Sequence, residues 1–521
     1  MKIKTRPFAK IAKALAAVLL AASLVSCDLF IEALKESVND EIGDINDNEF
    51  YAQNTATSKY YITHAEFLVE GDYCQIWAEK DSGITHKKAR EIANEYDNHI
   101  RSVIVDAFSK KNFSLNYMGS KVQFSDMLDF ANWLVANRND STRNGEGKLT
   151  ILLLDIKDGY SNRNESYTAG YFFSGDFYPR GPVKGSTGKI LGYSNGRDMI
   201  YIDTYPSLND SDPRFKIEDV YGTFAHELQH LINYATRVWM SLTDSSIQLM
   251  DTWIDEGLSS QAEYLYLDDN PAGKVERFSN DVNGTIAKGN NFFVWGNHVT
   301  SKQPLAILDD YSTVYLFFRW LYLQAQAKNG LQSTIFRDIV SSEYYDFMNV
   351  TNAAKEINPA WGNWETLLRT WFAANYNPKN SQYGYNGDSY LQENIKIKRI
   401  TGSSVSLYPG EGVYSVINNN SFSVGNTAGN IRYAGLARNT AAIDTASPYS
   451  GDTLLTFNAN SDCESSSESG RLTGVAAVST ASRTLAEDTQ AGLSSGPYRL
   501  DARDLWGRNH ELDQLRWKLN E

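Results

Sequence analysis

The segment His226-Glu227-Leu228-Gln229-His230 carries the residue types and spacing of metal-assisted hydrolysis. Residues four apart share one face of an α-helix, so His226 and His230 can offer two imidazole nitrogens to a single ion. Glu227, next to them, is placed to act as general base toward the water such an ion activates, and not as a ligand. Val220, Phe224, Leu228, Leu231 and Ile232 fall at helical spacing, and Glu218 and Asp219 suit the positive N-terminal end of that helix. Taken alone, the five letters also fit a surface helix with two solvated histidines.

A catalytic zinc site has three protein ligands and one open position. The stretch 253–264 (WIDEGLSSQAEY) offers the third ligand as Glu256, at the start of a second predicted helix. Gly257 and the small Ser259, Ser260 and Ala262 would let that helix approach the first. Glu263 lies two turns further along the same face, where it could hydrogen-bond the free nitrogen of a zinc-bound histidine. A Glu-Gly pair after the histidine helix resembles the gluzincins, zinc peptidases whose third ligand is glutamate.

Flanking text narrows the resemblance. In order come 152–160 (LLLDIKDGY), 169–172 (AGYF), 194–203 (SNGRDMIYID), 226–234 (HELQHLINY) and 255–258 (DEGL). This order is similar to the hyicolysin family of secreted bacterial zinc metallopeptidases, across roughly residues 60 to 375. The resemblance implies a neutral endopeptidase acting on polypeptides, with one Zn2+ held by His226, His230 and Glu256 and with Glu227 as general base. It also implies an oxyanion-stabilising group on a later helix. The segment 311–321 (YSTVYLFFRWL) supplies Tyr311 as first choice, with Tyr315 and His298 behind it. The strand around Met199 to Ile202 is expected to serve as an edge to which an extended peptide adds.

The chain begins with a basic stretch (Lys2, Lys4, Arg6, Lys10, Lys13) and a short apolar run from Ala14 to Leu24. That run is too short to span a bilayer, and it reads as a signal peptide. It ends in Leu24-Val25-Ser26-Cys27, which resembles the bacterial lipobox and implies cleavage before Cys27 and lipid on its sulfur. Ordinary cleavage nearby is the alternative. The expected location is the cell envelope, at the outer membrane or cell surface in preference to the inner membrane. Removing residues 1–26 removes five basic side chains and no acidic ones, so the formal charge falls from -14 to -19. Such an acidic chain argues against nucleic acid as a partner. A monomer is expected. Cys74 and Cys463 leave pairing and separate thiols equally open.

The fold class expected is α+β: a zincin-type catalytic domain with a mixed-sheet lobe and a helical lobe, then a β-sandwich-like domain. The divisions expected are a signal peptide at 1–26, an acidic tether at 27–55, the catalytic domain at 56–385 and a β-rich domain at 390–521. Strands are expected near 150–156, 169–173 and 199–203, and a helix over 84–108 with Ala89, Ile92, Ala93, Tyr96, Ile100, Val103 and Ile104 inward. Further helices are expected at 312–326, 331–341 and 361–374. Short strands are expected at 395–397, 405–408 and 413–416, and a long loop at 461–492. Residues 140–145 have the opening rhythm of a calcium loop but Ile151 where the closing Glu belongs; 209–212 are a second calcium candidate, with a plain loop favoured. His64, His86, His99 and His510 share no ligand spacing. A zinc-binding but catalytically idle surface lipoprotein, acting as an adhesin, is the rival function; the intact Glu227 argues against it.

Overall fold

A computed structural model describes residues 42–471, except 139–146, 162–166, 185–187, 210–214, 216, 243–247, 272, 290–291, 301–302, 329, 402–403, 418–420, 423–428 and 465–467. Residues 1–26 with the expected signal peptide, Cys27, the calcium-loop candidate 140–145 and His510 lie outside the described residues. The fold is α+β. The described chain divides into two compact units, one holding 42–274 with 330–353 and the other 275–328 with 354–471. Residues 385–390, where the composition shifts, lie inside the second unit.

The first unit is built on a six-stranded mixed sheet of order β1-β2-β3-β6-β10-β7. Its strands are β1 (Glu49–Asn54), β2 (Lys59–Glu70), β3 (Cys74–Glu79), β6 (Leu149–Leu154), β7 (Gly170–Tyr171) and β10 (Met199–Asp203). Two side hairpins pair β4 (Phe113–Tyr117) with β5 (Ser120–Phe124), and β8 (Gly181–Lys184) with β9 (Ile190–Ser194). The run LTILLL of β6 is buried at every position, as befits a central strand covered on both faces. It runs parallel to both neighbours, β3 and β10.

Two expectations change here. Residues 49–54, read as the end of a tether, form β1, because Phe50, Tyr51 and Ala52 bury against the sheet. β10 is not a free edge: β6 pairs along one side, and β7 pairs antiparallel at Tyr201 and Ile202 along the other. The outermost strand is therefore the two-residue β7. Gly170 permits it, since a Cβ there would stand 2.9 Å from the Tyr201 carbonyl and 2.8 Å from Thr223 of the helix behind. At the opposite edge, side chains occupy the outward amides of β1. Tyr51 N donates to Asn195 Oδ1 at 2.8 Å and Gln53 N to the Tyr171 hydroxyl at 3.3 Å.

The helix expected over 84–108 starts at His86, where the Thr85 side chain accepts from Lys88 N, and runs as α-helix to Glu95. A π turn at Tyr96–Ile100 then precedes α-helix Arg101–Phe108. The wider turn rotates the later face, so Ile104, Val105 and Phe108 are buried and Val103 is only half-buried. Asp97, in that turn, accepts from the backbone of Asp72 and Tyr73 and ties the helix to the β2–β3 hairpin.

In the second unit, helices Ile307–Gln326 and Trp364–Tyr376 are aromatic and buried, with Phe317 against Trp371 at 5.5 Å. Asn363 caps the latter by accepting from Thr366 N. A five-stranded sheet follows in the order Arg399–Ile400, Gly412–Val416, Thr453–Asn458, Ile431–Leu436, Ile443–Asp444. Residues 395–397 are not a strand, because Ser279 Oγ takes up the Lys396 amide and donates to Asn394 O. Within the expected loop 461–492, Glu468–Arg471 instead pairs with Ser404–Leu407. Cys74 and Cys463 keep separate thiols. No helix among the described residues is long and apolar enough to cross a membrane.

Asp176 joins the turn Ser174–Phe177 to the sheet. It accepts from the Tyr201 hydroxyl and from Asn195 N, both at 2.6 Å, while Asn195 Nδ2 donates to Tyr51 O at 3.0 Å. Burial pushes the Asp176 carboxyl up to about 7, against those hydrogen bonds. A carboxyl raised on folding binds its proton more tightly in the native state, so its contribution falls as pH rises from about 4 to about 7. The Asp176→Asn variant should therefore lose less stability than the parent between pH 4.5 and 7.5, by at most roughly 4 kcal/mol. Urea midpoints at the two pH values measure the difference; equal slopes would contradict it.

Candidate metal centre

The histidines sit midway along helix Ile217–Ser241, whose apolar stripe Val220, Phe224, Leu228, Leu231 and Ile232 is buried as its spacing demands. Glu218 and Asp219 lie in its first turn. Helix Thr252–Leu267 packs against it, with Ser259 reaching Gln229 and His230. Gly222 gives Leu267 room on the facing side, where a Cβ would stand 3.4 Å from its methyl carbon.

Between the two helices, His226, His230 and Glu256 converge. Glu256 Oε2 lies 3.3 Å from His226 Nε2 and 3.7 Å from His230 Nε2. Ligand atoms arranged tetrahedrally at about 2.1 Å from one ion would stand roughly 3.4 Å apart. All three residues are at most 2% exposed. His226 Nε2, both Glu256 oxygens and Glu227 Oε2 are buried without a hydrogen bond. Leaving buried polar atoms unsatisfied costs about 1–3 kcal/mol each, and more when charged. Two imidazole nitrogens and a carboxylate brought this close fit a divalent metal ion.

The other ring nitrogens are held from behind. His226 Nδ1 meets Glu263 Oε1 at 2.7 Å. His230 Nδ1 meets Asp255 Oδ2 at 3.0 Å and Ser259 Oγ at 3.1 Å. A proton on each Nδ1, donated to its carboxylate, leaves each Nε2 lone pair pointing at the shared space. Ser259 Oγ also donates to Gln229 Oε1 and the Asp255 carbonyl, and Asn233 Nδ2 donates to Asp255 Oδ1.

Charge is concentrated here. Burial would lower the His226 imidazole, but Glu256 and Glu263 outweigh it and hold it up to about 9, so a cation taking Nε2 would displace a proton from it. Burial raises the Glu227 carboxyl. For Glu263, burial acts in the same direction, yet Lys274 and His226 prevail and hold its carboxyl below the ordinary range. Lys274, itself lowered by burial against the pull of Glu263, donates to Glu263 Oε1 at 3.0 Å and to Ser260 Oγ at 2.9 Å.

Thus the structure brings His226, Glu227, His230, Glu256 and Glu263 together. Tyr311, Tyr315 and His298 belong to the second unit. Tyr311 is buried on helix Ile307–Gln326, edge-on to Trp295 at 4.9 Å, and Tyr315 is buried one turn on. His298 is engaged by Glu411 Oε1 at 2.7 Å. Among the described residues, the other histidines have partners elsewhere: His64 with Glu49, His86 with the Leu68 carbonyl and His99 with Glu95. The sequence gives Lys274 no role, gives Asp255 only a place in the DEGL segment, and gives Ser259 only that of a small residue permitting close approach. Asp255 had one available signal, since it directly precedes the ligand candidate; Lys274 had none. A separate cleft of about 480 Å3, lined by Glu79, Lys80, Asp155 and Thr204 among others, contains none of these residues.

An ion bound by the folded state alone should stabilise it, by about 2.7 kcal/mol at one hundred times its dissociation constant. Divalent metal added to the stripped protein should therefore raise its melting temperature, and His230→Ala should abolish the rise. An equal rise in the variant would place the metal elsewhere.

No family model matches the chain. Compared with known proteins, it is 27% identical over 350 residues to the neutral metalloprotease ShpI of Staphylococcus hyicus. The matched stretch is 67% of this chain and spans 66% of that protein, just under two thirds of its length.

Proposed function

We propose that this chain is a zinc-dependent endopeptidase, held at the cell envelope by lipid on Cys27. The observation that carries the catalytic reading is the buried convergence of His226, His230 and Glu256, with Glu227 Oε2 unbonded beside them. Similarity to a neutral metalloprotease supports the same reading. A donor set of two imidazoles and one carboxylate suits Zn2+, and when bound that ion supplies Lewis-acid chemistry toward water and a peptide carbonyl.

The residues of the chain do the rest. His226 and His230 are held with Nε2 forward by Glu263 and Asp255. Glu256 contributes the negative charge that anchors a divalent cation, and its burial keeps bulk water from competing for it. Glu227 takes a proton from the attacking water and returns it to the departing amine nitrogen. With β10 paired on both sides, an extended substrate chain would be received by the β7 edge.

Cleavage of a denatured, dye-labelled general protein tests the reading. The full chain should cleave it, lose activity to a chelator and regain it with zinc. Glu227→Gln should bind one zinc yet cleave at least 1000-fold more slowly, since it removes the proton acceptor. Undiminished cleavage by that variant would remove Glu227 from the mechanism. Silence of the zinc-loaded parent would favour the idle binding protein.

Anchoring is tested separately. In a bacterial host the parent should partition with membranes and Cys27→Ser with the soluble fraction; identical partitioning would refute lipid on Cys27.

A further inference from the structure

We propose that Lys274 is a positioning residue of the metal centre: its buried ammonium holds the Glu263 carboxylate that orients His226 and balances the charge packed around the ligands. The proposal rests on the metal-centre reading above and extends it to a residue outside the ligand set.

The geometry is a linear relay. Lys274 Nζ donates to Glu263 Oε1 at 3.0 Å, and the same oxygen meets His226 Nδ1 at 2.7 Å. Ser260 Oγ, on the same helix as Glu263, fixes the ammonium from a second direction at 2.9 Å. Lys274 and Glu263 side chains are only 2% and 6% exposed. A carboxylate held at one oxygen by two donors cannot swing away from the imidazole without abandoning the ammonium in a dry environment.

The charge count points the same way. Glu227, Glu256 and Glu263 are three buried carboxylates within one helix pair. A divalent ion and two neutral imidazoles offset two of those charges; the Lys274 ammonium offsets the third. Without it, the centre would carry a surplus negative charge that water cannot reach. The other histidine shows why the lysine stands where it does. The partner of His230, Asp255, has a side chain 30% exposed, so solvent can balance it, whereas Glu263 has no such access. Packing alone does not account for the residue, since an apolar side chain of similar volume fills a buried site at less desolvation cost.

The test uses the full chain as parent, Lys274→Met, Glu263→Gln and the double variant. Zinc dissociation constants are measured by chelator competition, visible spectra after cobalt(II) substitution, and circular dichroism as a check of fold. We expect Lys274→Met to weaken zinc binding by about 10- to 100-fold, the usual range for loss of a group behind a ligand. Its cobalt spectrum should differ from the parent's. Glu263→Gln should weaken binding similarly, and the double variant should be no weaker than Glu263→Gln alone, because the lysine acts through that carboxylate. Should Lys274→Met fail to fold, Lys274→Gln replaces it in the same cycle, keeping hydrogen-bond donors and removing the charge. Parent-like zinc affinity in the lysine variant, or an effect that adds in full to that of Glu263→Gln, overturns the proposal while the metal centre stands. A parent that binds no zinc overturns the centre itself, and the proposal with it.

Discussion

Everything in the first unit answers to one constraint: two imidazoles and three carboxylates must be kept dry and close between two helices. Burying a charge costs several kcal/mol unless it is matched. The matching is distributed over both helices and the chain that follows them. Ser259 ties the two helices together; Asp255 and Glu263 orient the rings; Lys274 completes the electrostatics. The sheet behind supplies rigidity, with β6 buried at every position and β7 reduced to two residues so that Gly170 can touch the histidine helix at Thr223. A looser support would let the rings turn, and orientation within a fraction of an ångström is what such a centre needs.

The parts legible in the sequence were those whose information is local. The histidine helix could be read because its ligand spacing and its apolar stripe obey the same 3.6-residue period. The convergence of Glu256 on the histidines could be read because the carboxylate, a glycine and small residues sit together in one helix. What could not be read depends on partners distant in sequence. β10 was identifiable as a strand, but only the fold shows that Gly170–Tyr171 covers its outer side. Lys274 sits beyond the end of the glutamate helix, and nothing in its neighbourhood marks it as buried.

The π turn at Tyr96–Ile100 illustrates a second kind of blindness. The hydrophobic period runs on through 84–108 as though the helix were uniform, which puts Val103 inside. One wider turn re-phases the stripe to Ile104, Val105 and Phe108, and Asp97 within that turn reaches the amides of a hairpin remote in sequence. Periodicity cannot register such a bulge. The same holds for 395–397, where an alternating pattern promised a strand and Ser279 had already taken the amide that a ladder would use.

The blunted edge of β1 has a wider consequence. Under the endopeptidase reading proposed above, the chain would meet extended strands seeking hydrogen-bond partners. An open sheet edge would recruit them indiscriminately, blocking the molecule or seeding aggregates. Because Asn195 and Tyr171 cap the outward amides of Tyr51 and Gln53, that side of the sheet offers no template. Under that reading, strand addition is left to the β7 side, next to the histidine helix.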